Sequence, residues 1–179
     1  GLRYEKRLRE GIDTIRSGAV PLPINDHSWL PALPVMESDT VIVGTVVSRD
    51  AYLSKHKSQV YTEATVAVEQ TLKAAEPSTV QREIAVDRWG GAVKMPDGRV
   101  KDFETVHKRL PNEGGRYLFF LSYDSNAKAF ELVASYELRN GRVHPLDTFP
   151  QFTGYADWDE RAFLQSVSDT IAKEKGGDR

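Results

Sequence analysis

The chain has 179 residues, 40% of them hydrophobic and 28% charged, with a formal net charge of −2. That length suits one domain with terminal decorations, and it can bury roughly 70% of its unfolded surface with no metal or disulfide to hold it. The sequence contains no cysteine, which excludes disulfide scaffolds, thiolate zinc sites and cysteine nucleophiles. No apolar run approaches the roughly 20 residues of a membrane helix, and the acidic balance argues against a general electrostatic grip on nucleic acid.

Gly1, not Met, opens the sequence, so either processing removed the native N-terminus or the sequence starts inside the gene; a signal peptide would lie in the segment cut away, and composition alone leaves the compartment open. Tyr4, Leu8, Ile12 and Ile15 fall at helical spacing. They predict an amphipathic helix over residues 2–18, weakened at Gly11. Pro21, Pro23, Pro31 and Pro34 then predict an extended strap, pinned by Trp29 and Leu30. Residues 1–36 are therefore read as helix and strap ahead of a β-rich body at 37–146.

From Thr40 the period changes to two. Thr40–Ser48 is rich in Val and Ile and predicts a buried strand, with Gly44 marking a bulge or bend. Val60–Leu72 alternates, with Val60, Thr62, Ala64, Val66, Val68 and Leu72 on one side and Tyr61, Glu63, Thr65, Glu69 and Thr71 on the other. A strand of that length would run to roughly 40 Å, so it must coil. Val80, Ile84 and Val86 continue the pattern. Pro96-Asp97-Gly98 predicts a tight turn between short strands near Ala92–Met95 and Arg99–Phe103. Tyr117–Leu121 reads as a central strand buried on both faces, followed by a strand over Phe130–Ser135. Asn140-Gly141 predicts a hairpin into Arg142–His144. Asp157 with Glu160 makes a capping box for a last helix with the stripe Phe163, Val167 and Ile171, in a helical extension over residues 147–179.

The fold class is mainly β, and helices confined to the two ends exclude alternating βα architecture. Between a sandwich and a small barrel, the long strand and the interior glycine favour an OB-like antiparallel β-barrel with flanking N-terminal and C-terminal helices.

Within this pattern, Ser38-Asp39-Thr40-Val41-Ile42-Val43-Gly44-Thr45-Val46-Val47 resembles the opening strand of netrin-like and TIMP-like domains and their uncharacterised bacterial relatives. That strand runs small residue, Asp, apolar run, Gly, small or polar residue, Val. Val68-Glu69-Gln70-Thr71-Leu72-Lys73 is similar to the ending of their long second strand, and Gly115-Arg116-Tyr117-Leu118-Phe119-Phe120-Leu121 to their glycine-led Tyr-Leu strand. Gly90-Gly91 lies where the relatives often carry glycines. The resemblance spans Glu37 to Val143, about 60% of the chain, and implies an OB-like barrel in a secreted or periplasmic setting. The animal inhibitors of this family present a free N-terminal cysteine to a catalytic zinc. This chain has no cysteine, so metalloproteinase inhibition is not implied and no functional residue transfers.

Chemistry-bearing motifs are sparse. His27, His56, His107 and His144 stand far apart with no metal-ligand spacing, and neither a cofactor nor a metal is expected. Ser28, Ser38, Ser54 and Ser125 sit in loops without a partner base, and no nucleophile motif is present. Asp87, Asp97, Asp102 and Glu104 are the basis of an alternative reading as a hydrolase using loop carboxylates, which requires one of them in an apolar environment. A second alternative is a single-stranded nucleic-acid-binding OB protein. Between Arg82 and Lys101, however, five cations face three acids, a local charge of only +2. Arg88-Trp89-Gly90-Gly91 stands out: either the indole sits on a groove rim where glycines admit a ligand, or Trp89 plugs a barrel mouth. The sequence therefore predicts a non-enzymatic binding or interaction module for a protein or glycan partner. The predicted contact residues are Trp89, Arg88, Tyr61 and Phe103: Tyr61 lies on the outward face with Glu63, Thr65, Gln81, Glu83 and Asp87, and Trp89 and the Ala92–Phe103 hairpin border it.

Overall fold

A computed structural model describes residues 29–53, 59–103 and 107–177. In chain order these hold β1 (Thr40–Leu53), β2 (Val60–Ala74), β3 (Glu83–Trp89), β4 (Gly91–Lys94) and β5 (Val100–Phe103). They continue with β6 (Arg116–Asp124), β7 (Ala129–Arg139), β8 (Arg142–Pro145) and α1 (Glu160–Gly177). The expected helix over residues 2–18, with His27, Ser28, Ser54, His56 and Glu104, lies outside the described residues.

The molecule is mainly β. Six strands form one sheet in the order β3-β2-β1-β6-β7-β8, while β4 and β5 make a separate hairpin. Every neighbouring pair in that order is antiparallel. The expectation of antiparallel pairing fails at one place, where β3 also meets β7 in parallel through Val86–Phe130 and Asp87–Glu131. The cause is directional. Going from β3 through β2, β1 and β6 to β7 reverses direction an even number of times, so any direct meeting of the two must be parallel.

The long strands bend where the sequence places a glycine. β1 and β2 pair from end to end, with a register shift between Val43 and Gly44 among others. A Cβ on Gly44 would lie 2.6 Å from Val66 Cγ1 and 2.7 Å from the Ala67 carbonyl oxygen, so a side chain there would have to push the neighbouring backbone away. β6 lies between β1 and β7, and its Tyr117–Leu121 run is buried throughout. Period-two alternation splits that run between two cores. Tyr117, Phe119 and Leu121 join Ile42, Val46, Val66, Ile84, Val86 and Phe130 on one face. Leu118 and Phe120 join Val41, Val43 and Tyr136 on the other, where Phe163, Val167 and Ile171 of α1 cover them. Each such side chain contributes about 1.5–3 kcal/mol on full burial.

The N-cap of α1 lies two residues after the expected one. The Ala162 N–H donates to Asp159 Oδ2 at 3.1 Å, so Asp159 is the N-cap. Asp157 sits in the preceding turn at φ +64, its N–H donating to the Val143 carbonyl at 2.8 Å. Of the two expected strap anchors, Leu30 is buried in the α1-side core, whereas Trp29 is 68% exposed. Polar bonds do the rest of the fastening. Tyr136 Oη donates to the Ala32 carbonyl at 2.6 Å. Lys73 Nζ donates to the carbonyls of Val35 and Ser38 at 2.8 and 2.7 Å and to Glu174 at 2.9 Å. Ser38, read from sequence as a loop residue, is buried and donates to the Pro34 carbonyl. Asp39 accepts from Thr40 Oγ1 and from the Tyr123 N–H, so the Ser-Asp opening of β1 acts as a fastening.

Candidate functional site

At the end of β3 the chain leaves the sheet. Gly90 and Gly91 adopt φ values of +108° and +130°, conformations that residues with a Cβ avoid. The Gly90 N–H donates to the Val60 carbonyl at 2.8 Å, and Thr62 Oγ1 donates to the Gly90 carbonyl at 2.7 Å. A Cβ on Gly91 would lie 2.5 Å from that Thr62 oxygen. At Gly91 the missing side chain makes room for β2. The glycines feed the β4–β5 hairpin, which turns at Gly98 (φ +86°) with Arg99 bonded to both carboxylate oxygens of Asp97. Those bonds hold the Asp97 carboxyl below the usual carboxylate range.

Between this hairpin, β1 and the segment 107–111 lies a cavity of about 600 Å³, lined by Arg49, Gly90, Gly91, Ala92, Asp102, Phe103, His107, Lys108, Arg109, Leu110 and Thr148. The far wall is fastened from three directions. His107 Nδ1 lies 2.9 Å from Thr148 Oγ1, and the Thr148 N–H donates to the His107 carbonyl at 3.0 Å. Arg88 Nη1 donates to the Arg109 carbonyl at 2.8 Å. Arg49 Nη1 donates to the Pro111 carbonyl at 3.0 Å.

The structure separates the four residues expected to make contact. Arg88 is corrected: it is 5% exposed and spends both terminal nitrogens on the Asp147 carboxylate, Nη2 at 2.9 Å. Alternation explains its place, because Arg88 shares the side of Ile84 and Val86 and so enters the core. Arg88, not Trp89, fills this end of the sheet. Tyr61 and Asp87, expected to face outward into solvent, are both buried. Tyr61 is enclosed with Tyr52 and Trp89 in a small aromatic cluster, and its ring meets the half-buried Trp89 edge-on at 4.8 Å. Phe103 does line the cavity, with Lys101 Nζ 5.1 Å from its ring centre.

Arg49, Lys108, Arg109 and Thr148 are wall residues that the sequence did not foretell. The basic run His107-Lys108-Arg109 was the one local signal available. The carboxylates of the hydrolase reading stand on separate elements, with Asp87 in β3, Asp97 in the hairpin turn and Asp102 in β5. Among the described residues no group of three His, Asp or Glu side chains is placed to hold a metal, and no helix is long and apolar enough to cross a membrane. No protein-family model and no curated protein sequence matches this chain.

Proposed function

We propose that this chain is a non-enzymatic binding module, built on an OB-like barrel of the TIMP-like or netrin-like kind and acting in a secreted or periplasmic setting. Support for the barrel comes from the strand order. With the β3–β7 meeting, β3-β2-β1-β6-β7 traces a ring of five strands with one parallel seam, as a five-stranded barrel closure requires. The compartment rests on the sequence resemblance alone.

The observation that carries the binding reading is the cavity between β1, the β4–β5 hairpin and residues 107–111. Its volume of about 600 Å³ falls in the range of roughly 300–1,000 Å³ used by small-molecule sites. Its wall is held by bonds from Arg49, Arg88 and Thr148, so the shape exists before any ligand arrives. A ligand therefore enters beside the face foreseen from sequence, at the point where the hairpin departs from it. The test is a fragment screen read by amide chemical shifts. Hits that move Gly90, Gly91, Ala92, Phe103 and residues 107–110 support the reading. Hits that gather elsewhere, or a screen without hits, overturn it.

A further inference from the structure

Resting on the reading of that cavity as the ligand site, we infer that its ligand is a small organic oxyanion, a carboxylate or phosphate carried on a short apolar or aromatic body. The whole chain carries a net charge of −2, yet the described cavity wall reverses that sign. Arg49, Lys108 and Arg109 line it against a single acid, Asp102. A concave site of opposite sign to the rest of the molecule concentrates anions.

The two arginines are suited to different parts of the work. Arg49 is tied at Nη1 to the Pro111 carbonyl, which fixes its guanidinium against the wall. Arg109 has its carbonyl anchored by Arg88, while its side chain is in no ion pair among the described residues. A planar guanidinium on a fixed backbone matches carboxylate and phosphate oxygens. Lys108 is 6% exposed and already engaged, so it contributes to the wall and the ligand oxygens fall to the arginines. Asp147 does not cancel this charge, because Arg88 neutralises it below the wall. Phe103 and Leu110 supply the apolar surface on which the body of the ligand rests.

The experiment titrates the full chain with benzoate, phenyl phosphate, benzyl alcohol and inorganic phosphate, following the cavity amides. The expected result is saturable binding of benzoate or phenyl phosphate, at least tenfold tighter than benzyl alcohol or inorganic phosphate, and weakening as salt rises. The tighter of the two acids identifies the head group. Arg109→Gln should weaken that binding at least fivefold, Arg49→Lys should weaken it as well, and Asp102→Asn should strengthen it two- to threefold. Benzyl alcohol moving the same amides with equal affinity overturns the oxyanion but leaves the cavity as the ligand site. Equal affinity for inorganic phosphate overturns the organic body, and unchanged affinity in both arginine variants overturns the assigned head-group contacts. If none of the four probes moves the cavity amides, both this inference and the site beneath it fail.

Discussion

The α1 side of the sheet and the hairpin side cover exposed strands by different physical means. On the α1 side, Tyr136 is ringed by Phe163, Phe152 and Tyr155 at centroid distances of 4.8, 6.0 and 6.2 Å, and Leu30 and Val35 of the strap complete the cover. On the hairpin side a buried ion pair and a set of single hydrogen bonds hold segment 107–111 in place, and about 600 Å³ stays open beneath it. Apolar contact is non-directional and draws side chains together until space is filled. Hydrogen bonds fix positions at set distances and leave gaps standing. On the α1 side the aromatic centre is filled and the open volume, about 500 Å³, lies outside it between the strap and the helix, whereas on the hairpin side about 600 Å³ lies directly beneath the bonded segment.

The sharpest break of this contrast is Asp147→Ala. It strands the Arg88 guanidinium inside the protein and should destabilise the fold by about 3–5 kcal/mol in urea unfolding. The paired replacement Arg88→Met with Asp147→Leu should recover most of that loss. A single variant costing under about 1 kcal/mol would show that the hairpin side is not held by this pair. Phe163→Ala attacks the aromatic cover and should cost about 3–5 kcal/mol. The two covers touch through Phe149, whose ring lies 5.0 Å from His107 and 6.5 Å from Phe152, so in the folded variant the amide shift of His107 should move while those of Gly90–Ala92 stay where they are; movement at Gly90–Ala92 would join the two sides more widely.

Trp89→Ala is expected to be milder, about 1–2 kcal/mol, since the indole is half-buried and its main partner is the edge-on ring of Tyr61. A loss as large as that of Phe163→Ala would make Trp89 a plug after all. The smallest effect at neutral pH concerns two tyrosines. Burial raises the hydroxyl pKa of Tyr117 and of Tyr136 above the ordinary value of 10.0. Both folded values lie above the unfolded one, so their contribution is complete below about pH 10 and is lost as pH climbs beyond it. Absorbance at 295 nm should show the exposed tyrosines ionising first and these two only as the fold opens. Ionisation of all seven tyrosines in one simple step near pH 10, with the fold intact, would contradict their burial.

Strands and turns were legible in the sequence because they follow local rules. Alternation located β1, β2 and β6, and the turns at Pro96-Asp97-Gly98 and Asn140-Gly141 appear with positive φ at Gly98, Asn140 and Gly141. The cavity was not legible, for a reason visible at Arg88. Residue chemistry assigns an arginine to the surface, while alternation with Ile84 and Val86 assigns it to the interior. The partner that decides between them, Asp147, lies 59 residues away. The same holds for Arg49 and Pro111, 62 residues apart. No short-range pattern reports such meetings. The N-cap error, Asp157 for Asp159, arose because both positions offer the same side chain, and only the backbone turn at Asp157 distinguishes them.

The place of α1 in the chain order has a consequence for biosynthesis. The strands that α1 covers all precede it, and translation adds about 5–20 residues per second. For an interval on the order of seconds, a nascent chain with its sheet assembled would present Val41, Val43, Leu118 and Phe120 with no helix over them. During that interval the α1-side face is an adhesive surface, and whatever shields it then must leave before Phe163 can dock.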